Sequence, residues 1–279
     1  MHDIVQIMLE NGCNVNYQSR SGWSALHGAV KCGNKQLTAL LLESNAEVDL
    51  RDNEGFTALN WAILSAMNEI AILLLDKGAD INSAGSDGET PIIQAVKSRN
   101  NSGMLLLITR HADVNKCDNT GFSALHHAVA EGLTSIMWFL IENGATINQR
   151  NAEGQTAFHL AVMKSNVSVV WFLVENGADV DLGDKNGVVP LHHAAFLGRE
   201  DTFRLLMNKV RNIQEQDKKG MNALHSAAKA GHTKLLGLLV SRVNDINLCD
   251  KNGESALHHA GRGKHWGSIE LLVDKGAKL

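Results

Sequence analysis

The 279-residue chain carries 26 Lys and Arg against 30 Asp and Glu, for a net charge of −4 and a pI near 6.3. That balance disfavours a general nucleic-acid binder, whose domain is normally basic. The longest strongly apolar runs, such as 169–174, fall far short of the roughly 20 residues that span a bilayer, so no membrane insertion is expected. A single globular core would be unusually large at this length, whereas stacked units that pack only on their neighbours meet no such limit.

The chain opens inside a unit: Ile4-Val5-Gln6-Ile7-Met8-Leu9 reads as the second helix of a pair whose first helix is absent. A pattern then returns every 33 residues with no insertion or deletion. Gly22, Gly55, Gly88, Gly121, Gly154, Gly187, Gly220 and Gly253 each end a short polar run, where a residue without Cβ takes the positive φ of a tight turn. Ser24, Thr57, Thr90, Ser123, Thr156 or Ser255 follows, a hydroxyl suited to capping a helix, then alanine or Pro91 or Pro190 at the first helical position. Seven residues after the glycine stands an alanine in every copy, from Ala29 to Ala260, so one place in the unit demands a small side chain. A second apolar run, for example 136–141, is anchored by Leu41, Leu74, Leu107, Leu140, Leu173, Leu206, Leu239 and Leu272, and stops at loops such as Asn143-Gly144-Ala145. Eight first helices and nine second helices are predicted. The chain also ends inside a unit, at 276–279, and neither end has a polar-faced capping repeat. The sequence therefore reads as a fragment, or as a stretch whose ends are covered by flanking segments.

Glycine, a Thr-Pro-Leu-His-x-Ala-like helix, an apolar helix and a Gly-Ala-Asp-Val-Asn-like loop at this period resemble the ankyrin-repeat family over essentially the whole chain. The resemblance implies an all-α solenoid of helix-turn-helix units with projecting finger loops. Fingers and first helices would form a concave groove that binds a partner protein or peptide. The expected organisation is one domain, 1–279, with a half repeat at 1–18 and eight repeats at 19–279, the last truncated. The family's architecture also serves as a regulatory or scaffolding domain that docks other parts of a larger enzyme or channel, and that alternative stays open.

Departures from the pattern mark two regions. Arg99-Asn100-Asn101-Ser102-Gly103 replaces the usual glycine turn and places Gly103 inside the next helix, a cost of about 1 kcal/mol relative to alanine, so 99–103 is a candidate soft joint. Val189 stands where the hydroxyl cap belongs, and Lys209-Val210-Arg211-Asn212 and Ser241-Arg242-Val243-Asn244 lack the loop glycine, which singles out 184–279 as a subregion.

Thirteen histidines invite a metal or catalytic reading, above all the doublets 126–127, 192–193 and 258–259. Adjacent helical residues point about 100° apart and cannot chelate together. The resemblance instead implies that His27, His126, His159, His192, His225 and His258 tie neighbouring turns together by hydrogen bonds. No zinc helix, phosphate loop, dinucleotide fingerprint or nucleophile elbow is present, so neither a catalytic residue nor a cofactor or metal is expected. Cys13, Cys32, Cys117 and Cys249 show no close pairing, which fits a reducing, cytoplasmic setting.

Three sets of residues are candidates for contact. Trp23, Phe56, Phe122, Val188 and Met221 follow the turn glycine at finger tips, and Leu64, Met163, Phe196 and Leu197 end first helices. Of these Trp23, Phe56, Phe122, Met163, Phe196 and Leu197 are expected to line the partner groove. Charge is uneven: residues 199–264 hold 12 Lys and Arg against 7 Asp and Glu, a net of +5, leaving −9 elsewhere. At the fingers Glu54, Asp87, Glu89 and Glu153 come early, and Lys185, Lys218, Lys219 and Lys251 late, so an acidic stretch of the partner is expected over the last repeats. On the convex side, the second-helix position expected to be exposed reads Ala39, Ile72, Leu105, Trp138 and Trp171 before turning to Arg204, Gly237 and Glu270. This apolar stripe is a candidate surface for self-association or for docking another segment.

Overall fold

The computed structural model describes residues 2–278 and, among them, 17 helices. The lone α1 (His2–Glu10) is followed by pairs: α2 (Ala25–Lys31) with α3 (Lys35–Glu43), α4 (Ala58–Leu64) with α5 (Asn68–Asp76), α6 (Pro91–Lys97) with α7 (Asn101–Thr109), and α8 (Ala124–Ala130) with α9 (Thr134–Glu142). The later pairs are α10 (Ala157–Lys164) with α11 (Val167–Glu175), α12 (Pro190–Phe196) with α13 (Glu200–Met207), α14 (Ala223–Ala230) with α15 (Thr233–Val240), and α16 (Ala256–Arg262) with α17 (Trp266–Asp274). The only strand-like features among the described residues are two isolated bridges, Cys117 to Ser123 and Cys249 to Ser255. None of the helices is long and apolar enough to cross a membrane.

Two compact units are present, one made of 1–128 with 135–145, the other of 129–134 with 146–279. The division thus falls within the fourth repeat, away from 99–103 and 184. In the first unit Leu41, Leu74, Leu107 and Leu140 are buried, and in the second Leu173, Leu206, Leu239 and Leu272. The recurring alanines are buried as well, from Ala29 to Ala260, where a larger side chain would overpack the contact between stacked first helices.

The fingers are pinned to one another by their backbones. The finger glycines all take φ between +75° and +82°, and a Cβ on Gly55 would lie 2.6 Å from the Ser86 amide nitrogen of the next finger. Glycine is therefore required twice over, by the turn and by the close approach. The Ser86 N–H donates to the Glu54 carbonyl (2.9 Å), and the second unit repeats the bond from Lys185 to Glu153, Lys218 to Asn186 and Lys251 to Lys219.

The expected histidine ties to the next repeat are made by His27, His159, His192 and His225, while His258 bonds to Ser255 of its own repeat. Ser24 donates its N–H and hydroxyl to His27 Nδ1 (3.2 and 2.9 Å), which leaves His27 Nε2–H to donate to the Phe56 carbonyl of the next finger (3.1 Å). His159 and His225 reach Val188 and Glu254 in the same way, and His192 reaches the Glu215 carbonyl, ahead of the next finger. Asn60 does this work in the second repeat, accepting from Thr57 and donating to the Ser83 carbonyl (2.9 Å). Ile93 occupies the place in the third repeat and cannot, so the Thr90 hydroxyl is buried without a partner. At Val189, where no hydroxyl exists, the backbone N–H alone donates to His192 Nδ1 (3.4 Å).

Gly103 has a packing reason. A Cβ there would lie 2.3 Å from Asn100 Nδ2, and Asn100 caps α7 by accepting from the Gly103 N–H (2.8 Å) while donating to the Ile63 carbonyl (2.9 Å) of the preceding repeat. The glycine thus lets a buried asparagine close two repeats together, and its propensity cost is offset locally. The loops at 209–212 and 241–244 close without any left-handed residue, whereas Gly144 and Gly177 take φ near +90° and Asn45 and His111 take about +60° at the same place.

Candidate partner-binding faces

Finger and first-helix side chains meet on one face of each unit, because the residue after the turn glycine lies beside the helix residue eight positions on. Glu89 pairs with Lys97, Gln155 donates to Met163 Sδ (3.9 Å), and Glu254 pairs with Arg262. A second strap links the finger aspartate to the residue nine positions later. Trp61 Nε1–H donates to Asp52 (2.8 Å), while His127 lies 2.9 Å from Asp118 and His259 lies 3.0 Å from Asp250. These straps explain the second histidine of the 126–127 and 258–259 doublets. Burial would raise the carboxyls of Asp118 and Asp250, but the hydrogen bonds they accept hold both below the ordinary aspartate range.

The six residues expected to line the groove fall into two groups. Phe196 and Leu197 stand out, with Phe196 48% exposed. Trp23, Phe56, Phe122 and Met163 are half-buried. Trp23 packs on Trp61 with ring centres 5.3 Å apart, and Phe56 meets the same ring edge-on at 5.6 Å while covering Gly85. Phe122 leans on His126 and His127 at 5.4 and 5.5 Å. The apolar tips of the first unit therefore stiffen their own repeats as well as facing outward. Of the other apolar positions, Leu64 is exposed and Val188 and Met221 are half-buried.

Trp61 and Lys31 were not marked out by the sequence pattern, yet Trp61 packs on both Trp23 and Phe56, with Lys31 Nζ 4.5 Å from the Trp61 ring centre. The available signal was positional: 61 is the place that the second histidine fills in three other repeats.

Among the finger charges, Glu54, Asp87, Glu153, Lys185, Lys218, Lys219 and Lys251 are exposed, whereas Glu89 is tied to Lys97. In the second unit a depression of about 430 Å³ is lined by Lys219, Met221, Lys229, Glu254, His259 and Arg262. Ligand atoms of Asp250, Glu254 and His259 lie within 4.8 Å of one another, but they are engaged with each other and with Arg262, closing the last finger on its helix.

Burial favours the neutral form of His27, His159, His192, His193 and His225. Burial, followed by the neighbouring His193, lowers His159 to about 4, and burial likewise lowers His27, His192, His193 and His225. His159 and His193 meet edge to face at 6.0 Å. Such groups are poor proton shuttles at neutral pH, since their neutral form is spent on structure.

On the opposite side, Ile72, Leu105 and Trp138 of the first unit are exposed, Leu105 by 50% and Trp138 by 53%, and Trp171 of the second unit by 58%. Ala39 is half-buried, and Arg204 and Glu270 are exposed. A shallow apolar groove of about 230 Å³ runs between α7 and α9, lined by Met104, Leu105, Ile136 and Phe139. The four cysteines form no disulfide among the described residues.

A family model described as ankyrin repeats in three copies matches residues 1–85, 82–151, 136–217 and 191–279. No curated protein matches the chain.

Proposed function

Because the chain belongs to the ankyrin-repeat family, whose members are generally protein–protein interaction modules and typically non-catalytic, we propose that it binds a partner protein or extended peptide through the face shared by fingers and first helices. The carrying observation is Phe196 with Leu197: two large apolar side chains exposed side by side at the end of a first helix, in a unit whose finger lysines 185, 218, 219 and 251 are exposed and make no ion pair among the described residues. Exposed apolar groups rimmed by charge fit a contact surface better than they fit a solvated one. Trp23, Phe56 and Phe122 give the first unit a finger face of the same kind, Met163 belongs with Phe196 to the second unit, and an acidic stretch of the partner over the later fingers meets the lysines.

The test uses a partner captured through a photo-crosslinking residue at Lys218. Phe122→Ala with Phe196→Ala should weaken its affinity more than tenfold while circular dichroism and Tm stay near wild type. Unchanged affinity in a folded double variant refutes the face.

A second surface is favoured by Leu105, which lines the groove between α7 and α9, and by Trp138, an exposed indole on α9. There a second copy of the chain would bury both side chains; Ile72 is a further exposed apolar residue of the first unit and Trp171 one of the second.

A further inference from the structure

We propose that the Trp61 ring is a receptor for a cationic side chain, an arginine of a basic partner segment, and that Lys31 is an internal stand-in that this arginine displaces. The inference rests on the finger-face reading above and gives the first unit a ligand chemistry of its own.

Four observations converge on that ring. Lys31 Nζ already lies 4.5 Å from its centre, so the ring's open side is shaped for a cation. Lys31 is exposed and makes no ion pair among the described residues, which leaves it held by the ring and readily exchanged. The indole N–H donates to Asp52 (2.8 Å), a buried carboxylate, and donation to an anion pushes electron density onto the ring and strengthens its attraction for a positive charge. Trp23, with its ring centre 5.3 Å away and tilted by 56°, walls one side, and Phe56, edge-on at 89°, fixes the indole plane. A planar guanidinium stacks on such a face better than an ammonium does.

Charge agrees. The first unit holds 15 Asp and Glu against 9 Lys and Arg, a net of −6, while the second holds 15 against 17, a net of +2. Glu54 and Asp87 are exposed on the first unit's fingers, so a basic segment meets attraction there and an acidic one does not.

The probe is a short synthetic peptide of alternating arginine and glycine, titrated into the full chain while the indole N–H resonances are followed by NMR. The Trp61 signal should shift and saturate, and replacing arginine by citrulline should abolish the shift. Lys31→Ala removes the competitor, so it should tighten binding about two- to fivefold, the worth of an exposed cation–π contact. Lys77→Ala makes the same charge change away from the ring and should leave affinity unchanged. Trp61→Leu should lose binding, and if that variant fails to fold the Lys31→Ala result decides alone. Weaker or unchanged binding in Lys31→Ala, or a Trp61 signal that does not move, overturns the proposal. If only Trp61 fails while Phe122→Ala with Phe196→Ala still loses the captured partner, the cation site falls and the finger face stands. If the peptide shifts the Trp138 indole instead, the cation site falls, and the finger face is judged by the double variant.

Discussion

Acidification should weaken the second unit through His159, and the size of the effect follows from its surroundings. His159 is fully buried, accepts from Thr156 at Nδ1 and donates from Nε2 to the Val188 carbonyl, and burial with the nearby His193 lowers it to about 4 from an ordinary 6.5. Between those values the unfolded chain holds a proton that the folded chain lacks. Stability is therefore full above about pH 6.5, falls as pH drops, and levels off below about pH 4. A difference of about 2.5 pH units at 1.36 kcal/mol each corresponds to roughly 3 kcal/mol from this residue. The chain supplies its own control in Asn60, which makes the same tie without titrating. His159→Asn should cost about 1–2 kcal/mol at pH 8, from lost packing and a changed hydrogen bond. Its stability should then decline less steeply with acid, so that urea unfolding curves of the two proteins converge near pH 4.5. The comparison cancels His192, His193, His225 and the carboxylates, which both proteins share. Parallel stability profiles from pH 8 to 4.5 would refute the reasoning.

Gly103→Ala should destabilise by about 1–3 kcal/mol by urea titration, against the gain of about 1 kcal/mol usual for this change in a helix, because the new Cβ strikes Asn100; a gain would mean that the cap moves freely. Lys218→Glu with Lys219→Glu should slow association with the captured partner and flatten its salt dependence in stopped-flow measurements, and an on-rate indifferent to both changes removes the acidic-stretch proposal. Trp138→Glu and Trp171→Glu should each leave stability within about 0.5 kcal/mol, since both indoles are more than half exposed, and should abolish any dimer seen by analytical ultracentrifugation. Strong destabilisation with an unchanged monomer would make the indoles ordinary packing.

The repeating architecture was legible because each recurring residue answers a local demand that repeats with the unit: Gly55 a positive φ, Thr57 a cap, Ala62 a close helix contact, Leu74 a core. The ties of His27, His159, His192 and His225 were legible for the same reason. Trp61 was not, because its importance comes from Trp23 and Phe56, which lie far apart in sequence, and from a carboxylate nine residues back. Glu89 looked like a free finger charge until its partner Lys97 came beside it across the face. Gly103 read as a weakness from helix propensity alone, since the side chain that requires it, Asn100, acts through contacts to Ile63 and Asn68 in the preceding repeat. The division within the fourth repeat left no mark in composition, because the residues on either side keep the period unbroken.

The most direct measurement places a photo-crosslinking residue in turn at Phe196 on the finger face and at Trp171 on the opposite face, and compares crosslinking to one purified partner. Binding through fingers and first helices predicts a crosslink from position 196 that excess unlabelled chain competes away, with little from 171. A competed crosslink from 171 with none from 196 would contradict it.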